Sequence, residues 1–427
     1  MRARSGIAAM LVSSCAVVSS AVAQEPSRAL TIDEAVAEAV QNNLGLLAER
    51  ENLSIADAAL ITARLRPNPV LSGAADSLDW LGTGFDEING AGPPQYSVRV
   101  DVPFERAHKR ELRAQVADQA RQAAAARFAD AVRRLKLDVT LAAIDLLEAK
   151  AKLRLGQDNL QTLDRLVELN VRRLASGAIP QLELTRSRVA MLQYRRNVKS
   201  AQLAVVEARL KLLPLMGRTP GGSPVEIEDR LGLPPIPATP DLPGLLDAAR
   251  TARPDILAAR RDNARTQADL RLQVAQGKVD YTLGAEYRRQ QGINGKGNLL
   301  GLFFTVPLPV FNRNQGEIAR AEAEGTKGAK TLQGVETSVA GEVAAAFEEF
   351  ESSRQLLIDI ERELLRPTDE ARAGTVYMYQ AGATSLLDVL DAQRAYNDTM
   401  DTYYSAQAAY RRTRAKLALV VGKDALP

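Results

Sequence analysis

The sequence predicts a mainly α-helical protein that carries a few membrane-type β-strands, with the whole plan laid down twice. Three observations lead there. An export signal is followed by no stretch approaching the 18 or so continuous apolar residues of a membrane helix. Two stretches of some 70 residues each read as single long helices. The second half of the chain repeats the landmarks of the first.

The signal comes first. Arg2 and Arg4 form a positive start, residues 7–18 supply an apolar run, and Ala21-Val22-Ala23 offers a small-x-small cleavage site before Gln24. Val12-Ser13-Ser14-Cys15 loosely resembles a lipobox and leaves lipidation at Cys15 as the alternative. The protein is therefore expected to be exported, and any membrane crossing to be made by strands. Among 427 residues there are one Cys and one His, and aromatics make up only 4%. That composition argues against structural zinc, disulfides and Cys–His catalysis, and it leans towards long helices. A formal charge of +3 gives no electrostatic footprint for nucleic acid.

The repeat is read from matched landmarks. Gly177-Ala178 and Leu182-Glu183 correspond to Gly382-Ala383 and Leu387-Asp388, Ser200-Ala201-Gln202 to Ser405-Ala406-Gln407, and Gly217 to Gly422. Upstream, Val102-Pro103 corresponds to Val306-Pro307. The divisions are a signal at 1–23, a first repeat at 24–218, a linker at 219–240 and a second repeat at 241–427. The linker holds six prolines, which is why it reads as a break.

Each repeat has the same parts in the same order. Thr31-x-x-Glu34 is a capping-box pattern that opens a helix expected over 31–66, and Asp241 opens its counterpart to about residue 277. Two extended segments follow in each half, near 70–75 and 97–102, then near 280–287 and 299–306. Alternation in the third places Tyr281, Leu283, Ala285 and Tyr287 on one face. Such segments suit tilted membrane strands with a polar inner face. Next comes a helix expected over 105–176, on the order of 100 Å long at ~1.5 Å per residue. Its counterpart over 314–381 contains Pro367, where a kink is expected. Gly177 and Gly382 end these helices as C-caps would, and returning helices are expected over 180–216 and 385–421. Helices of this length need lateral neighbours to bury their apolar stripes.

Two strands plus a long helical hairpin, duplicated and exported, resemble the TolC family of outer-membrane efflux proteins. The resemblance rests on Leu30-Thr31-Ile32-Asp33-Glu34-Ala35, on Arg66-Pro67-Asn68-Pro69, and on residues 381–392, Ala-Gly-Ala-Thr-Ser-Leu-Leu-Asp-Val-Leu-Asp-Ala. Pro307-Leu308-Pro309-Val310-Phe311-Asn312-Arg313-Asn314-Gln315-Gly316 is similar to the outer-membrane component of cobalt–zinc–cadmium efflux systems of the RND type. The resemblance implies a homotrimer in which four strands per chain close a 12-stranded β-barrel, continued by a 12-helix α-barrel tunnel through the periplasm. It further implies contact with outer-membrane lipid, a periplasmic adaptor protein, an inner-membrane RND-type pump, no cofactor and no enzymatic chemistry. Heavy-metal cations are the expected cargo; organic compounds or proteins exported by type I secretion are the alternatives. A periplasmic coiled-coil adaptor is the reading from another class, and it does not account for two hairpins each preceded by strands.

Particular residues carry two readings each. Asp388 and Asp391 are one helical turn apart: Asp388 completes a capping box with Ser385, or both line the pore gate at the tunnel tip, as the resemblance implies. Glu183 holds the equivalent position in the first repeat, and Tyr379 matches a gate tyrosine of the family. Thr384 stands where the family's best-known gate arginine would be. Gly177 and Gly382 are C-caps and, by resemblance, adaptor-docking tips. Pro103 and Pro307 mark the barrel-to-tunnel junction. His108 reads as a surface residue, Gly292 to Gly297 as a hairpin rather than a phosphate loop, and Arg133-Arg134, Arg172-Arg173 and Arg195-Arg196 as solvated helix faces. Glu348, Glu349 and Glu351 lack a histidine partner for a carboxylate di-metal site, and no metal site is expected.

Overall fold

The computed structural model describes residues 29–82, 84, 93–221, 225–229, 231–232, 241–292 and 295–422. The export signal, with both of its processing alternatives, lies outside them. The description begins with a two-residue strand β1 (Ala29–Leu30). Thr31 then caps α1 (Ile32–Asn42) through the expected box, its hydroxyl accepting from Glu34 N at 3.2 Å and its own N–H donating to the Glu34 carboxylate at 2.9 Å.

The helix expected over 31–66 is in fact two, because Asn43 separates α1 from α2 (Leu44–Arg64). The Asn43 side chain accepts from Leu46 N at 2.9 Å and donates to Leu215 O at 3.0 Å, so one amide caps a new helix and holds a distant one. Strands β2 (Val70–Asp76) and β3 (Gln95–Phe104) follow, then α3 (Lys109–Ala175) of 67 residues and α4 (Gln181–Leu215). The stretch read as a linker is partly core. Its strand β4 (Glu226–Ile227) pairs in parallel with β1, and Val225, Ile227 and Leu231 are buried against α1, α3 and α4.

The second repeat shows the same correction. Its first helix is α5 (Leu242–Ala252) and α6 (Pro254–Gln276), broken at Arg253 because a residue before proline is held out of the α region. Strands β5 (Tyr281–Gly292) and β6 (Gly295–Thr305) lead into α7 (Gln315–Asp359). The irregularity expected at Pro367 falls just upstream, as a π-helical turn over Ile360–Leu364 ahead of α8 (Leu365–Gln380). Proline withholds an N–H from the carbonyl four residues back, and the wider turn accommodates that gap. The last helix is α9 (Leu386–Val421).

The four longer strands form one antiparallel sheet in the order β2-β3-β5-β6, so the two hairpins meet at β3 and β5. Within the chain β2 and β6 each border a single strand. Each repeat has its own apolar core where its short first helix meets its hairpin: Ala35, Val139, Leu146 and Leu212 in the first, Leu245, Val343, Phe350 and Leu417 in the second. A third, smaller cluster of Leu163, Leu166, Tyr379, Leu386 and Val389 joins the two hairpins near their tips. No helix among the described residues is long and apolar enough to cross a membrane.

Candidate functional site

Three regions position the residues singled out above. The first is the sheet, whose two faces differ in chemistry. Pairing aligns Leu71, Val100, Ala285 and Leu302 across one face, and Gly73, Val98, Tyr287 and Leu300 in the next row. These side chains are exposed, Leu302 at 83%. The opposite face carries Ser72, Arg99, Glu286 and Gly301 in register. There Arg99 pairs with Asp101 at 2.8 Å and lies 4.1 Å over the Phe303 ring, and Arg288 pairs with Glu286 at 2.8 Å. Gly284 leaves the room: a Cβ there would fall 2.4 Å from the Asp101 carboxylate. The expected alternation is present, with apolar side chains on one face and paired charges on the other.

The second region is the passage from strands to helices. Pro103 remains inside β3 opposite Thr282, and Pro307 follows the end of β6. Between strand and helix, Ala107 and His108 take left-handed backbone angles, as does Asn314 in the second repeat. His108 is on the surface, as expected. The residues that fix this corner were not singled out in the sequence. Lys109, 3% exposed, donates to Asp280 at 2.7 Å and to Lys278 O at 2.7 Å, while Asp280 also accepts from Arg106 N at 2.8 Å. Asn314 donates to Gln273 O at 2.7 Å in the corresponding place.

The third region is the far end of the hairpins. Gly177 and Gly382, at φ +74° and +79°, close matching Schellman turns: Ala178 N donates to Arg173 O and Ala383 N to Met378 O, both at 2.8 Å. Nothing lies within 4 Å of the place a Cβ would take at either glycine. Asp388 completes the capping box with Ser385, and its carboxylate also accepts from the Thr384 hydroxyl at 2.6 Å. Thr384, and then Ser385, thereby hold the Asp388 carboxyl below its ordinary range. Asp391 is exposed and faces Arg394 at 3.4 Å.

Tyr379 is placed differently. It is 3% exposed, inside the seam between the two hairpins, and its hydroxyl donates to Asn170 at 2.7 Å. Burial, then the nearby Glu183 carboxylate, push the Tyr379 hydroxyl's pKa up. Arg173 stacks 4.9 Å over its ring and donates to Tyr379 O at 3.0 Å and Gln380 O at 2.8 Å. The gate set therefore divides. Tyr379 and Glu183 lie close together at the seam, whereas Asp388 and Asp391 sit on an exposed face of α9. Arg173 is not a solvated residue, and neither is Arg133, which donates to Leu419 O at 3.0 Å. Higher in the seam, Gln393 donates to Asn159 at 2.9 Å and Asn159 to Asn397 at 2.6 Å. The sequence signal for this seam was Asn159 and Asn170 set among Leu163 and Leu166 at alternating steps of four and three.

Of the remaining expectations, Glu349 and Glu351 are ion-paired with Lys416 and Arg354, both at 2.6 Å. Gly292 stands opposite Gly295 where β5 meets β6, so the glycine-rich stretch joins two strands; residues 293 and 294 lie outside the described ones.

The family described as outer membrane efflux protein matches residues 35–218 and 245–423, one match per repeat. The cobalt-zinc-cadmium resistance protein CzcC of Cupriavidus metallidurans is 25% identical over 372 residues, which span 87% of this chain and 85% of that protein. The pyoverdine export outer membrane protein OpmQ of Pseudomonas putida is 26% identical over 302 residues, 65% of this chain and 59% of that one. Among solved structures, the CmeC outer membrane channel of Campylobacter jejuni shares the fold with a TM-score of 0.75 at 13% identity, covering 92% of this chain and 85% of that chain.

Proposed function

The chain belongs to the outer membrane efflux protein family, and from that premise we propose that three copies assemble into one duct with a 12-stranded barrel and a 12-helix tunnel. The protein is an outer-membrane efflux channel of tripartite pumps, with its tunnel in the periplasm, and it is not an enzyme. The observation that carries the trimer is the sheet. Four strands with an exposed apolar face and two half-paired edges do not close by themselves, and lipid offers no partners to open backbone edges. Three copies joined from β6 to β2 would pair every edge. Light scattering of the detergent-solubilised protein tests this, and a stable, folded monomer refutes it.

The tips at Gly177 and Gly382 are the docking points for a periplasmic adaptor, which couples the duct to an inner-membrane RND-type pump. Each tip is exposed and at the end of its hairpin farthest from the sheet, where a periplasmic partner is met. Asp388, Asp391 and Glu183 serve the gate at that end, with Tyr379 holding the hairpins that frame it. The cargo is heavy-metal cations, a reading supported by the 25% identity to CzcC over most of both chains. The similarity to OpmQ favours an organic cargo as the second reading. Intracellular cobalt, zinc and cadmium in a strain lacking this protein decide between them: no rise in any of the three defeats the metal reading.

A further inference from the structure

The outward face of the sheet changes character towards the end remote from the helices. Three successive rows are apolar, the last made by Gly73, Val98, Tyr287 and Leu300. The next row holds Ala75, Tyr96, Arg289 and Asn298, and beyond it Lys296 stands opposite Gln291. Strand parity puts Arg289 and Lys296 on the same outward face, and both are exposed. They are diagonal neighbours on adjacent strands, some 7–8 Å apart at the backbone, within reach of a single bound group.

Their electrostatic setting is unlike that of the other face. The cations of that face, Arg99 and Arg288, each pair with a carboxylate two residues along their own strand. Among the described residues no carboxylate pairs with Arg289 or Lys296. The outward residues of β2, Leu71, Gly73 and Ala75, include no carboxylate either. Tyr287 marks the boundary below, its ring on the apolar side and its hydroxyl donating to Asn298 at 2.9 Å.

The height of the pair is equally specific. Phe104, Tyr281 and Phe304 stack at the helical end of the sheet, with centroid spacings of 5.4 and 6.0 Å. With a rise of ~3.4 Å per residue and a strand tilt of ~40°, Arg289 and Lys296 lie roughly 21 and 26 Å above Tyr281. An outward apolar band is about 25 Å tall. The two cations thus stand where acyl chains end and headgroups begin, on the outer side.

We infer that Arg289 and Lys296 form a binding site for the phosphate of an anionic lipid in the outer leaflet of the membrane. The two side chains bracket the phosphate, Tyr96 and Tyr287 lie along its upper chain segments, and the apolar rows below receive the acyl chains. The inference rests on the barrel reading above, because only a barrel sets this face in lipid.

The test uses the full chain purified in detergent, titrated with bis-phosphorylated lipid A, with lipid A stripped of both phosphates, and with inorganic phosphate. Bound lipid is counted by native mass spectrometry. The Arg289→Gln/Lys296→Gln protein is expected to bind the phosphorylated lipid about tenfold or more weakly than the parent, with no change for the phosphate-free lipid. Inorganic phosphate alone is expected not to bind; equal binding of it would replace the lipid site by a general anion site. Equal affinity of both proteins for the phosphorylated lipid overturns the inference. Conductance in planar bilayers separates the two layers of argument. A parent protein that forms no channel defeats the barrel reading, and the inference with it. A channel-forming protein whose lipid affinity ignores both substitutions defeats the inference alone.

Discussion

Tyr379→Phe removes one hydrogen bond from a buried polar contact between the hairpins. The hydroxyl sits 2.7 Å from the Asn170 side-chain oxygen, and Asn170 is fully buried with its amide nitrogen already without a partner. In the variant the whole Asn170 amide is left unsatisfied while the phenyl ring stays under Arg173. A buried polar group stranded in this way costs about 1–3 kcal/mol. On the gate reading proposed above, the loss favours separated hairpins, and ~2 kcal/mol shifts such an equilibrium about 30-fold in each copy. Planar-bilayer recordings of the reconstituted protein should therefore show more frequent openings and a raised resting conductance. The double variant Tyr379→Phe/Asn170→Leu removes the stranded amide as well, and should return towards the parent. A single variant that conducts like the parent, or a double variant leakier than the single, would refute the seam argument.

Other substitutions probe the remaining parts. Asp388→Ala/Asp391→Ala should weaken cation selectivity and block by divalent ions in the same recordings, since clustered carboxylates at a narrow entrance concentrate cations. Replacing Gly177 and Gly382 together by Leu should abolish export measured by cargo accumulation, while light scattering still reports the assembled form, because nothing lies beside either glycine and the cost of a side chain at positive φ, roughly 1–2 kcal/mol at each, is confined to the tip turn. Arg253→Ala should lower stability in detergent thermal unfolding by about 3–5 kcal/mol. Its guanidinium is 2% exposed and serves Asp255, Glu342 and Val420 O, so removal strips the largely buried Asp255 of its cation, leaving it the Ile256 N–H, and takes the side-chain donor from a helix-end carbonyl, while half-exposed Glu342 turns to solvent.

What the sequence disclosed was largely local. Thr31, Asp241 and Ser385 cap their helices within three residues, the tip glycines close turns within five, and strand parity needs only alternate positions. The breaks at Asn43 and Arg253 were harder to see. Pro254 is a visible marker for one of them, but Asn43 is fixed by a carbonyl 172 residues away. Arg173 looked solvated because its acceptors, Tyr379 O and Gln380 O, belong to the other hairpin. The linker looked like punctuation because proline counts do not reveal that Val225, Ile227 and Leu231 fill a core. At the candidate gate, the cap role of Asp388 was legible from Ser385, whereas the burial of Tyr379 depended on how two hairpins pack.

The glycines that follow the returning helices, Gly217 and Gly422, have a bearing on how the molecule is made. Each takes a left-handed turn against the break in its own repeat's first helix; a Cβ on Gly217 would lie 2.3 Å from Asn42 O, and one on Gly422 would lie 3.2 Å from the Ala252 carbonyl carbon. Each repeat is thus a loop of chain clasped at its two ends, with about 170 residues between the halves of the clasp, whereas the hairpins inside it zip from nearby contacts. Order of assembly follows from that difference in separation. Hairpins form early and from the tips, and the clasp shuts only when a repeat's last residues have emerged. On that ordering the two repeats are expected to mature as separate steps, the first ahead of the second.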